Sequence, residues 1–121
     1  MANQRINLIF ATLADPTRRA VIERLAGGPA PVKDLAAPHD MALPSFLKHL
    51  DVLERADLVT SQKVGRQRIC ALHPAALEPV EHWLTRQRRN WEARTDRLAA
   101  MAEALEEQAQ PGNTPRKDPR K

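Results

Sequence analysis

Leu43-Pro44-Ser45-Phe46-Leu47-Lys48-His49-Leu50-Asp51-Val52-Leu53-Glu54-Arg55 is the stretch on which the reading of this chain turns. Leu43, Phe46, Leu50 and Leu53 recur at helical spacing, so the segment reads as a helix with one apolar face. Pro44 falls in the first turn, where its missing N–H has no intrahelical partner. At about 100° per residue, Phe46, Leu50 and Leu53 point inward. Pro44, Lys48, Asp51 and Arg55 point away, with Ser45 and Leu47 on the flanks. Such a helix can lie in the major groove of duplex DNA with its N-terminal residues near base edges. Ser45 and Lys48 are the leading candidates for base contacts, with Pro44 and Leu47 beside them. Asp51, on the same face, has to sit above the groove or pair with a lysine or arginine.

The flanking sequence supplies the frame. Ile6, Ile9, Phe10 and Leu13 share one face of a helix over residues 3–13. Asp15-Pro16 reads as an N-cap followed by proline at the first helical position. The next helix, roughly residues 16–26, buries Val21, Ile22 and Leu25 and stops at Gly27-Gly28-Pro29. Residues 32–37 suit a short helix ended by Pro38. After the quoted helix the period changes: residues 58–62 and 67–72 are β-capable segments around Val64-Gly65-Arg66, a hairpin with its turn near Gly65. Residues 75–108 then form one long helical pattern, which tolerates Pro79 only in its first turn. The fold class is mainly α with a small β-hairpin, in the order of a winged helix-turn-helix. Residues 1–108 are expected to form a DNA-binding and dimerisation domain, and residues 109–121 a flexible basic tail.

Charge placement supports this order. The formal net charge is +4 over 121 residues. Residues 111–121 carry Arg116, Lys117, Arg120 and Lys121 against Asp118, and residues 58–73 carry Lys63, Arg66 and Arg68 with no acid. Each piece contributes +3, so the rest of the chain is net −2. Lys63, Arg66 and Arg68, with Gln67 between them, are the expected phosphate contacts, and His49 and Arg18 join them as lesser ones. A basic hairpin alone is an ordinary solvated surface; directly after a helix-turn-helix order it points to nucleic acid. Aromatics make up only 3%, with no tyrosine, which disfavours single-strand binders that stack bases on aromatic platforms.

Other classes are excluded by what the sequence lacks. No apolar run approaches the roughly 18–20 residues of a membrane span, and Met1-Ala2-Asn3-Gln4-Arg5 lacks the basic-then-apolar order of a secretory signal. The single Cys70 cannot build an internal disulfide framework, so a cytoplasmic protein without membrane contact is expected. No Ser–His–Asp order, glycine-rich phosphate loop or paired-carboxylate spacing supports catalysis, and no cofactor is expected. In the long helix, Leu84, Trp91, Leu98 and Leu105 are spaced by seven, with Met101 partly filling a second row that Gln87 and Arg94 interrupt. These residues, together with Ile6, Ile9 and Phe10 of the first helix, form the expected homodimer interface. Arg86, Arg88, Arg89, Arg94 and Arg97 interleave with Glu81, Glu92 and Asp96 as a solvated face with helical ion pairs.

Leu13-Ala14-Asp15-Pro16-Thr17-Arg18-Arg19, followed by the run from Pro44 through Arg55 to Ala56-Asp57-Leu58-Val59, resembles the ArsR family of bacterial winged-helix repressors. The resemblance spans about residues 5–108. It implies a dimer held by terminal helices, two recognition helices facing successive grooves, Lys48-His49-Leu50 in the recognition helix and Gly65 at the wing turn. Three positions depart from the family pattern. Pro31 and Ala42 stand where Ser or Thr often caps the two motif helices, each a loss of about 1 kcal/mol. Leu47 replaces a common serine, so a polar contact there does not carry over, although Leu47 could touch a thymine methyl.

The family's metal sensors place cysteines in the first motif helix, or paired Asp/His and His/Glu ligands on the last. Here the first motif helix has no thiol, and Glu78 with His82 offers too few ligands. The chain therefore resembles members without the usual metal motifs, and Cys70 has no second cysteine to resolve an oxidised sulfur. The expected function is a homodimeric, sequence-specific DNA-binding regulator, a repressor on an imperfect palindromic operator. The alternatives are a protein-interaction adaptor on the same scaffold and a metal- or redox-responsive sensor. Nothing in the sequence specifies a small-molecule effector.

Overall fold

The computed structural model describes residues 2–109. The chain divides into two compact units, with the division between His82 and Trp83 inside the last helix. In the first unit, α1 (Ala2–Leu13) is followed by α2 (Pro16–Leu25), β1 (Ala30–Pro31), α3 (Val32–Ala36), α4 (Leu43–Arg55), β2 (Val59–Val64) and β3 (Gln67–Leu72). A 3-10 turn, Pro74–Leu77, then leads into α5 (Glu78–Ala109), which continues into the second unit.

Local chemistry sets the helix ends. Asp15 caps α2 by accepting a 3.0 Å bond from the Arg18 N–H, with Pro16 in the first turn. Pro31 and Ala42 precede α3 and α4 in extended conformation and give no side-chain cap. Helix α4 ends in a Schellman motif. The Leu58 N–H reaches the Leu53 carbonyl at 3.1 Å, and the Asp57 N–H reaches that of Glu54 at 2.9 Å. Asp57 takes the left-handed position, φ 63°, that glycine usually fills there, and Leu53 and Leu58 are both buried beneath it.

Phe46, Leu50 and Leu53 of α4 pack with Ile9, Val21, Leu25, Leu35, Leu58, Val59 and Cys70 into the core. Leu43 does not join them. It opens α4 and is 53% exposed, whereas the helical pattern put it on the apolar face. Periodicity assigns a face but not the point at which the core ends.

The sheet has three strands rather than the two of a plain hairpin, in the order β1-β3-β2. Strand β1 pairs antiparallel with β3 through Ala30↔Cys70 and Pro31↔Ile69. A proline is tolerated there because β1 is an edge strand with no further partner to donate to. Strands β2 and β3 pair from Val59↔Leu72 to Val64↔Gln67, leaving Gly65-Arg66 as a two-residue loop. Gly65 has φ +62°, which the primed turns of tight hairpins demand. Only the base of this hairpin is buried, so the wing projects as an exposed ribbon.

Helix α5 starts at Glu78, three residues later than the pattern suggested, because Pro74 initiates a separate 3-10 turn. Pro79 lies in the first turn of α5, as its missing N–H requires. Residues 81–109 are all exposed. Among the described residues no ion pair forms along α5, so its alternating charges are a solvated face without the expected bridges.

Candidate nucleic-acid interface

The outer face of α4 carries Pro44, Ser45 and Lys48, all exposed, with Leu47 partly buried against the core. Lys48 makes no hydrogen bond or ion pair among the described residues, so its ammonium is available. Asp51 is paired with Arg55 one turn on, the Arg55 Nε donating at 2.8 Å. That pairing removes the lone negative charge from the face. Exposed Leu43, at the start of the helix, adds an apolar residue to this end of α4, although its spacing groups it with Phe46, Leu50 and Leu53.

The four wing residues divide into two sets. Lys63, Arg66 and Gln67 are exposed and unpaired among the described residues. Arg68 is engaged: its Nη2 donates to Glu54 Oε1 at 2.6 Å and its Nε to Ser61 Oγ at 3.0 Å. Ser61 Oγ in turn donates to Glu54 Oε2 at 2.8 Å. Arg68, expected as a phosphate contact, is thus engaged between α4 and the wing, unlike the unpaired Lys63 and Arg66. Spacing in sequence could not show that Glu54 of α4 lies under Ser61 of β2 and Arg68 of β3.

Arg18 is likewise turned inward. Its Nε donates to the Thr12 carbonyl at 2.7 Å and its Nη2 to the Ala11 carbonyl at 3.3 Å, and its Nη1 lies 3.1 Å from His49 Nδ1. His49 Nδ1 is also 3.6 Å from the Asp15 carboxylate. This group joins the end of α1 and the start of α2 to the middle of α4. Arg18 and His49, expected as lesser phosphate contacts, are engaged in this group and tie α4 to the α1–α2 corner. Burial alone raises the Asp15 carboxyl, but it is outweighed. The Arg18 N–H, the charges of His49 and Arg18 and the Thr17 N–H together hold it below the ordinary value of 3.8.

Comparison with known proteins places this geometry. Residues 13–62 match the family model described as a helix-turn-helix domain. The HTH-type transcriptional regulator Rv2034 of Mycobacterium tuberculosis is 42% identical over 77 residues, covering 64% of this chain and 72% of the relative. Transcriptional repressor SdpR of Bacillus subtilis is 28% identical over 79 residues, covering 65% of this chain and 88% of the relative. The crystal structure of an ArsR family transcriptional regulator, RHA00566, aligns with TM-score 0.71 and 50% identity over 74% of this chain and 93% of that one. The chain belongs to the ArsR family. It is a DNA-binding transcriptional regulator, with α3 and α4 as the helix-turn-helix and β2–β3 as the wing.

Other expected sites of this ArsR family regulator fall as follows. Leu84, Trp91, Leu98, Met101 and Leu105 are each at least half exposed along α5. Phe10 is also exposed on α1, while Ile6 is almost covered. Ile9 is 0% exposed and packed in the core of its own chain. It has no surface to offer a partner, which removes it from the interface set. Cys70 is buried in β3; burial pushes its thiol above 9.0, with Arg68 opposing and Glu54 adding to the shift. A thiol so placed is protonated and covered at neutral pH. Among the described residues no three His, Cys, Asp or Glu side chains cluster as metal ligands. None of the described helices is long and apolar enough to cross a membrane. Of the expected basic tail, Ala109 is the last residue of α5, and residues 110–121 lie outside the described residues.

Proposed function

We propose that the protein acts in the cytoplasm as a homodimeric repressor that binds an imperfect palindromic operator through α4 and the wing, with no catalytic role. Residues 1–108 act together as its DNA-binding and dimerisation domain. Ser45 and Lys48 read base edges in the major groove, with Pro44, Leu47 and Leu43 lining the apolar part of that face. Lys63 and Arg66, with Gln67, hold phosphates from the wing. The single observation that carries the reading is that α4 presents an unpaired Lys48 beside a neutralised Asp51, next to a wing bearing unpaired cations. The dimer is supported by a row of large apolar side chains on α5, each at least half exposed, spaced for a partner helix. Repression is supported by the name of the Bacillus subtilis relative.

The test is operator binding by full-length variants at several salt concentrations. Lys63→Ala with Arg66→Ala should weaken binding to any duplex and lower the salt slope by about 2. Ser45→Ala and Lys48→Ala should change the order of preference among sequences, at about 1–3 kcal/mol of discrimination for a well-made base contact. Equal loss on every sequence from the Lys48 change would overturn its base-reading role.

A further inference from the structure

We propose that the groove between the start of α3 and the wing is a binding site for a DNA backbone phosphate, held by Lys33 and Arg66. The groove has a volume of about 240 Å³ and is lined by Pro31, Val32, Lys33, Arg66, Gln67 and Arg68. Its lining contains three cations and no acid. Strand pairing builds it. The Pro31↔Ile69 pair fixes β1 against β3, and α3 begins at the next residue, so Val32 and Lys33 at its start line one groove with Arg66, Gln67 and Arg68 of the wing. Residues more than thirty positions apart in sequence thereby form one cationic wall.

The three cations are not equivalent. Arg68 is neutralised by Glu54 and serves as a fixed side of the groove. Lys33 and Arg66 are exposed and have no ion-pair partner among the described residues. Gln67, between them on the rim, has an amide N–H that can donate to a phosphate oxygen. Two unpaired cations and a neutral donor around one concavity match a singly charged phosphodiester, which offers acceptors only. Lys33 lies on the first helix of the motif, outside the α4 face, so it positions the protein on the duplex and reads no base. The inference rests on the DNA-binding reading and extends the footprint from the wing tip onto α3.

The experiment uses the full chain and its operator duplex, comparing wild type with Lys33→Ala and Lys33→Arg across a salt series. Lys33→Ala should weaken binding several-fold at low salt, lower the log–log salt slope by about 1 and leave sequence preference unchanged. Lys33→Arg should retain the slope. Single methylphosphonate replacements, walked along the operator, should reveal one phosphate whose neutralisation weakens wild type but not Lys33→Ala. An unchanged slope for Lys33→Ala overturns the proposal. So does a methylphosphonate walk with no Lys33-dependent position, even if free Lys33-containing protein binds inorganic phosphate, since the site would then serve a free anion. Failure of the Lys63 and Arg66 variants to alter binding at all would instead count against the wing assignment, and the two outcomes are separable.

Discussion

Asp15 shows how one side chain serves two levels of structure. Its carboxylate caps α2 and sits 3.6 Å from His49 of α4. The cap was legible because Asp-Pro at a helix start has one physical reading. The role of Arg18 was not, since its partners are backbone carbonyls of α1 and a ring on α4, 31 residues away. A carboxyl held below 3.8 in the folded chain makes the unfolded chain the stronger proton binder. Its contribution to stability is thus complete above 3.8 and is lost as pH falls through the lowered folded value. Denaturant midpoints measured from pH 5 down to pH 2 should fall in this window for wild type. Asp15→Asn keeps an acceptor for the cap and should flatten that part of the decline; an unchanged decline would show that Asp15 is not its source.

Among the elements, the relation of α4 to the wing matters most. Periodicity located both, because one has a 3.6-residue apolar pattern and the other a glycine-centred hairpin. It could not find β1, whose two residues become a strand only by pairing with β3. Nor could it tell Arg66, free at the turn, from Arg68, bonded to Glu54 and Ser61. The distinction has a measurable consequence. Arg66→Ala should weaken DNA binding and lower the salt slope by about 1. Arg68→Ala should weaken binding without that change of slope, because it loosens the wing rather than removing a phosphate contact. Glu54→Ala should share this phenotype of reduced affinity at unchanged slope. A slope change for Arg68→Ala equal to that for Arg66→Ala would assign Arg68 to the phosphates after all.

At the scale of the whole molecule, α5 carries the support for the proposed homodimer. Leu84, Trp91, Leu98 and Leu105 recur every seven residues and are 50–67% exposed. A monomeric chain rarely leaves so regular an apolar row uncovered. Their spacing was visible in the sequence, as was the confinement of positive charge to short pieces. Ile9, on the same helical face as Phe10, was not distinguishable from an interface residue until the core was seen to enclose it. In the proposed homodimer, a second copy related by a two-fold axis would present a second α4 face to the duplex. The site must then mirror that symmetry, with half-sites about one helical turn apart, roughly 10 base pairs, or a multiple of it.

Selection from a pool of random duplexes by the full-length protein, followed by sequencing, tests this most directly. The account predicts enrichment of an imperfect inverted repeat whose half-sites keep that spacing, and an altered half-site when Lys48→Ala is used. Enrichment of a single unrepeated site, or of no sequence above the starting pool, would contradict it.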